Sequence, residues 1–529
     1  MDSAATSMPT STPAVVQQLL AGLGNTTVVT EAAAVQTAAT DVYRDGKTPY
    51  AVVLPRSTDE LANAVRSAVE HKLSVYVRGG GMSYTDAFLP QSTESIIIDL
   101  SQMNAIREIN AIDLYATVDA GCTWETLDTA LTEHGLRASF WGPMSGRVST
   151  VGGAMAQGAV TFGSARNGPS VANVLGLEVV LADGSLVTTG SGGQPGHSPF
   201  LREYGPDLTG LLCNDAGAFG IKAAITVPLE PRPSHGTGLS FSFDDFESLL
   251  EATRAVSRDS LATEVFGAET ALVKSVAGAP NIRNDVRQLL TMMRAANGIG
   301  AALKTAWTAA VNGRRFLDRS KYLVNYLLEA NSPQELQLVT KRLRQAVLPH
   351  GVEVANTVAE FTRAMPFPDP AVLGPGGRRL LPLHGVIPYS QATALNTAYC
   401  DYIDEIRPVC EQLGIDVYIV YATTGRNGFL YECVIYWSDE WLDSHQATLT
   451  DEQRAMMSEP TANPDAREMV EQIRLRSIEI FYEHGCTHYQ IGRAYPYTRD
   501  RDPGALRLLR AIRNEIDPNN TINPGALGL

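Results

Sequence analysis

Residues 78–90, Arg-Gly-Gly-Gly-Met-Ser-Tyr-Thr-Asp-Ala-Phe-Leu-Pro, constrain this chain more than any other stretch. Three consecutive glycines after an apolar run let backbone approach a partner that any Cβ would push away. The run Leu73–Val77 reads as a short strand, so the glycines fall where a strand hands over to a loop whose successive N–H groups form an anion-binding nest. Such a loop suits the diphosphate of a nucleotide cofactor. It has no Gly-Lys-Ser/Thr ending and no G-x-G-x-x-G spacing, which excludes the phosphate loop and the dinucleotide-binding helix start.

Two further segments support a cofactor site. Residues 140–158 form a second loop, Phe-Trp-Gly-Pro-Met-Ser-Gly-Arg-Val-Ser-Thr-Val-Gly-Gly-Ala-Met-Ala-Gln-Gly, in which small residues alternate with hydroxyls. Val174–Gly190 reads as a hairpin: strand Leu177–Leu181, turn Ala182-Asp183-Gly184, and a return strand. After a strand at Ala223–Val227, the prolines Pro228, Pro231 and Pro233 are expected to end a sheet and mark a domain boundary. Beyond it, Ser332-Pro333 with Glu335 starts a helix that runs through Val347, and Phe367–Gly377 is a Pro/Gly-rich loop. Ile415–Tyr421 and Tyr431–Trp437 read as strands. Asp502-Pro503 opens a last helix with an apolar face of Ala505, Leu508, Leu509 and Ile512, and with Arg507, Arg510 and Arg513 expected in solvent.

Composition narrows the function classes. A chain of 529 residues exceeds what one core supports, so about two domains are expected. The net charge of −15, with no basic arm, argues against nucleic acid as a partner. Residues 1–20 hold no long apolar core and read as a disordered leader, not a signal peptide or membrane span. Six scattered cysteines without C-x-x-C spacing read as reduced thiols of a cytoplasmic protein.

Six segments in order carry a resemblance. They are Pro49–Pro55 with Ser57, Asp59 and Glu60; the glycine loop; Ser149–Gly153; Gly176–Gly184; Asn214–Ile221; and Asp517-Pro518-Asn519 with Asn523-Pro524-Gly525. Over nearly the whole chain this order resembles the vanillyl-alcohol oxidase/para-cresol methylhydroxylase flavoproteins, nearest to their phenol-oxidising branch. The resemblance implies an α+β protein with a two-domain FAD-binding fold and an α/β cap domain. It implies an FAD-binding domain at 21–233, a cap at 234–490, and a C-terminal segment, 491–529, that returns to the first domain. FAD is then expected on Arg78, Gly79, Gly80, Gly81, Met82, Ser83 and Tyr84 of the first loop. Pro143, Ser149, Thr150, Gly152, Gly153 and Gln157 of the second loop, with Gly163, Ser164, Gly220, Ile221 and Asn523, complete that expectation.

The resemblance also implies hydride transfer to flavin N5 from a C–OH or benzylic C–H of a small aromatic molecule. Tyr84 and Tyr489 match the tyrosines that bind the substrate's phenolic oxygen, but Gln490 stands where the relatives have arginine. A phenol has a pKa of about 10, so holding it ionised at neutral pH takes roughly 4 kcal/mol, and Arg493 or Arg426 is the candidate for the missing charge. Ser164 replaces an aspartate found beside the flavin in some phenol oxidases. Met82 stands where relatives that bond the flavin carry histidine, and 425–433 has no histidine, which leaves Tyr431 as the sole alternative to dissociable FAD. The alternative reading is a 2-hydroxy-acid dehydrogenase; Thr424–Cys433 lacks the paired histidines of its metal site, and His384, His484 and His488 show no ligand spacing, so no metal is expected. A flavin-binding protein without turnover is a third possibility. The expected partners are a small-molecule substrate and an electron acceptor, oxygen or a redox carrier, with the chain forming a homo-oligomer away from membranes.

Overall fold

The computed structural model describes residues 14–277 and 320–529. Short apolar runs build its first sheet. Ser95–Asp99 lies between Ala51–Leu54 and Ser74–Arg78, parallel to both, and Thr27–Val29 joins the outer edge of Ala51–Leu54 antiparallel. The central strand, Ser-Ile-Ile-Ile-Asp, is buried throughout, as a parallel strand covered on both faces must be. The helix Thr58–Glu70 supplies part of the cover. Ser57 caps it by accepting the Glu60 amide, and Leu61, Ala64, Val65 and Ala68 join the core of this lobe.

The second sheet is antiparallel, in the order Ile106–Asn110, Tyr115–Asp119, Ile221–Pro231, Gly176–Val180, Leu186–Thr188. The last two strands are the hairpin read from the sequence, with Gly184 at φ +75° in its turn. The prolines expected to end the sheet do not all do so. The strand runs through Pro228 to Pro231, pairing its far end with Leu136–Ala138. Proline keeps its carbonyl, and the Pro228 carbonyl accepts the Ser139 amide at 3.2 Å.

The third sheet has seven antiparallel strands in the order Val352–Val354, His235–Phe243, Tyr322–Ala330, Glu264–Glu269, Ile415–Thr424, Gly428–Trp437, Arg379–Pro388. One face is closed by helices, among them Phe246–Arg258, Pro333–Val347, Tyr389–Leu413 and Pro464–Glu483, and buries Phe429, Tyr431, Cys433 and Trp437 with them. Ser332 caps Pro333–Val347 as its sequence predicts. The other face is different. Leu380, Pro382, Val386, Val420 and Ala422 keep accessible surface, while the alternating residues Leu381, Leu383, Ile387, Ile419 and Tyr421 are buried. Leu272 packs over Leu380, Val420, Val434 and Tyr436 on this face, the rest of which forms the wall of a cleft, and Phe266 on it packs against the core of the first lobe.

The C-terminal segment pairs with the first sheet: the Asn523 amide donates to Val75 and the Val75 amide to Thr521. Two expectations fail nearby. Arg513 is 4% exposed, not solvated, because its guanidinium bonds the Ala218 and Ile522 carbonyls and Asn520, whereas Leu508 is 62% exposed. Within the expected disordered leader, Ala14–Gly22 is helical and Leu19 is buried against the first lobe, while Met1–Pro13 lie outside the described residues. All six cysteines are free thiols, and no helix of the described residues is long and apolar enough to cross a membrane.

Candidate active site

The two glycine-rich loops meet. A Cβ on Gly80 would lie 2.1 Å from the Val148 carbonyl oxygen, and one on Gly79 would lie 2.6 Å from Thr150 Oγ1. Gly80 is thus required by contact between the loops, a reason the sequence alone assigned to a diphosphate. Gly81 has φ +70°, and the Arg78 guanidinium curls beneath it to bond Asp99 at 2.9 Å. The amides of Gly80–Ser83 donate to no acceptor among the described residues, which leaves a nest of free N–H groups. Met82 packs beside Val42, Val372 and Leu373, and the Ser83 hydroxyl bonds Thr85.

In the second loop several expected cofactor contacts prove internal. Thr150 caps the helix Val151–Gln157 by accepting the Gly153 amide at 3.1 Å, Ser149 shares a hydrogen bond with Ser145, and the Pro143 carbonyl accepts the Gly146 amide. Gly152 leaves no room for a Cβ against Ala120, and Gly220, at φ +131°, leaves none against Val179 as the chain enters the strand at buried Ile221. Asn523 spends its side chain on Ala87, Ala216 and Arg493. Two buried acceptors, Gln157 Oε1 and Asn214 Oδ1, have no donor. Free amides on the first loop and unpaired acceptors at Gln157 and Asn214 fit a group that brings both phosphate oxygens and ring N–H donors, which is the chemistry of FAD.

The substrate-end residues also converge. The Gln490 side chain lies beside the Tyr84 phenol, and the Gln490 backbone amide donates to the Gln157 carbonyl at 2.5 Å, with Gln490 at φ +52°. Tyr489 shares a 3.4 Å contact with Thr424 Oγ1. Burial pushes the Tyr84 phenol well above its usual range, Glu432 and Tyr495 add to this, and the Gln490 amide opposes it. His384 and His488 lie at this end with Tyr495; His488 Nδ1 donates to the His384 carbonyl and its ring stacks on Tyr495 at 3.9 Å. His484 is elsewhere, bonded to Ile480 at the end of its helix.

The arginines expected to supply charge do not. Arg493 donates to the Asp86 and Pro524 carbonyls and to Asn523, and Arg426 is exposed and bonded to Ser260. Ser164 Oγ accepts the Thr161 amide at 2.9 Å, and its carbonyl accepts Gly425 across the lobes. Glu264 of the cap sheet braces the same turn by accepting the Gly163 amide at 3.1 Å; burial raises its carboxyl well above the usual range, against the pull of that amide and its neighbours. Tyr431 points to the helix-covered face, where its hydroxyl bonds Asn396 at 3.1 Å. Glu264 and Glu432 were not singled out from the sequence, and Asn214 stood there only as the first residue of the segment Asn214–Ile221. Glu432 had a signal, as the lone acid in the apolar strand Gly428–Trp437.

Comparison with known proteins agrees with this geometry. Residues 49–190 match the family model described as an FAD binding domain. The 4-ethylphenol oxidase of Gulosibacter chungangensis superimposes with TM-score 0.70 at 18% identity, covering 99% of both chains. Residues 49–190 are thus an FAD-binding domain, and the described fold is similar to that of the vanillyl-alcohol oxidase/para-cresol methylhydroxylase flavoproteins. A p-cresol methylhydroxylase with substrate bound superimposes on this flavoprotein with TM-score 0.71 at 18% identity, over 97% of this chain and 96% of that one. By sequence it is 30% identical, over 198 residues, to the mitochondrial D-lactate dehydrogenase [cytochrome] 1 of Saccharomyces cerevisiae, a match spanning 37% of this chain and 32% of that protein. The flavoprotein spans about a third to a half of the length of the curated relatives it matches. Among the described residues no group of three or more His, Cys, Asp or Glu is placed to hold a metal ion.

Proposed function

We propose that this flavoprotein is an FAD-dependent oxidoreductase that removes a hydride from a C–OH or benzylic C–H of a small aromatic molecule. The observation that carries the reading is the approach of Tyr84 to Gln490, from two remote segments, with the hydroxyl of the adjacent Tyr489 at Thr424 Oγ1 of the third sheet. Bound FAD would supply the two-electron acceptor. The amides of Gly80–Ser83 would hold its diphosphate, and Gln157 Oε1 with Asn214 Oδ1 would accept its ring N–H groups. The chain's own residues do the rest: Tyr84 and Tyr489 direct hydroxyls at the substrate's polar end, Gln490 lies beside Tyr84, and the apolar face around Val386, Val420 and Ala422 excludes water. FAD is held without a covalent bond, since Met82 offers no such link and Tyr431 faces away. Oxygen or a redox carrier would be the terminal electron acceptor.

The yeast relative's name favours a second reading, oxidation of a 2-hydroxy acid. Anaerobic titration separates the two. Bleaching of the flavin band by 4-alkylphenols or aryl alcohols is the expected result. Bleaching by D-lactate or glycolate alone gives the second reading, and bleaching by none makes the chain a flavin-binding protein without turnover.

A further inference from the structure

Glu432 is the only charged residue of Gly428–Trp437, and its side chain faces the cleft. The register sets His384 beside it on one neighbouring strand and Val420 on the other. Neither ring nitrogen of His384 has a partner, although the residue is 1% exposed. Glu432 keeps accessible surface while enclosed by protein, as a side chain lining an interior cleft does, and burial alone pushes its carboxyl up to about 7.

Among the described residues, the groups around it are Tyr84 from the glycine loop, Tyr495 with His488 stacked on it from the C-terminal segment, His384, and Tyr436 on its own strand. None is a cation at neutral pH, because burial lowers His384 to about 3 and His488 to about 4. The nearby guanidinium groups are committed: Arg474 pairs with Glu471 and Asp86, Arg378 with Asp416, and Arg493 with carbonyls and Asn523. A phenolate or carboxylate entering here would meet a carboxylate with no cation among the described residues to offset it.

We propose that Glu432 accepts the hydroxyl proton of an uncharged alcohol, with His384 as the hydrogen-bonding neighbour that orients that hydroxyl. The proposal rests on the oxidoreductase reading and narrows its substrate to a C–OH compound. In the reaction the alcohol's O–H bond breaks and its proton goes to a Glu432 oxygen. The carbinol C–H bond breaks with its electron pair, the hydride reduces the oxidised flavin, and a C=O bond forms.

The test uses flavin-loaded protein and two probes, 4-methoxybenzyl alcohol and 4-methoxybenzoate, the latter an anion throughout the range. Benzoate binding, read from perturbation of the visible flavin band, is expected to weaken about tenfold per pH unit above about 7 and to stay level in Glu432→Gln. Anaerobic bleaching by the alcohol is expected to accelerate with pH through the same region, and Glu432→Gln to slow it about 10²- to 10⁴-fold. A level benzoate profile in the unmodified protein, or alcohol bleaching that Glu432→Gln leaves unchanged, overturns the role of Glu432 while sparing the oxidoreductase reading. A benzoate step without bleaching by any alcohol, phenol or hydroxy acid overturns the oxidoreductase reading, and the proton transfer with it.

Discussion

Tyr489 makes one weak hydroxyl contact, to Thr424 at 3.4 Å, so its hydroxyl contributes little to folding and is free for a substrate. Tyr489→Phe is expected to leave the thermal midpoint within about a degree, since a long contact is worth well under 1 kcal/mol. The same change is expected to slow flavin reduction roughly 10- to 150-fold, the cost of losing about 1.5–3 kcal/mol of hydrogen bonding to developing charge. Rapid-mixing absorbance beside a melt checks both; an equal loss in stability and rate would mark Tyr489 as structural. Arg493 and Arg513 illustrate the opposite situation. Each could be placed at the site or in solvent from its neighbours in sequence, yet each is held by backbone carbonyls of distant segments. A guanidinium has five donors, and a chain that turns back on itself exposes carbonyls that need them.

The glycine loop's position after a strand and the hairpin around Gly184 were legible because each needs particular residues locally. The partner of Gly80 was not legible. Its hydrogens face the Val148 carbonyl, so Gly80→Ala already forces the two loops apart. Overpacking of this kind costs about 1–3 kcal/mol, and a melting temperature lower by several degrees is expected together with reduced flavin content after purification. Full flavin content at an unchanged melting temperature would show that the loops do not touch. The strand Ile221–Pro231 makes a related point. A proline ends a strand only where its missing N–H was needed, and which edge the partner occupies is decided by the sheet.

At the scale of the whole molecule, one face of the third sheet is closed by helices, while the other is covered in part by Leu272 and carries Phe266, which packs against the core of the first lobe. Tyr431 and Glu432 are adjacent in sequence but lie on opposite faces, so Tyr431 is out of reach of a cofactor on the lobe side. Acid precipitation is therefore expected to release the flavin into the supernatant; yellow colour retained in the pellet would demand a covalent link elsewhere. The lobes are tied by Gly163 to Glu264, Gly425 to Ser164, and Arg137 to Glu329 at 2.8 Å. These contacts hold the Ser164 turn and the cleft wall in a fixed relation.

By itself the sequence determined the local grammar: glycines where a loop must pass close, the cap at Ser332, the strand runs at Ile415–Tyr421 and Tyr431–Trp437, and the order of motifs that resembles one flavoprotein superfamily. It also brought Tyr84, Tyr489 and Gln490 forward through that resemblance. Tertiary structure decided which polar groups remain free. Arg493, Asn523 and the Thr150 hydroxyl are spent on the fold, whereas Glu432, His384, Gln157 and Asn214 are left facing the interior. Hydrogen-bond satisfaction is a property of segments that meet in space, and no spacing along the chain encodes it.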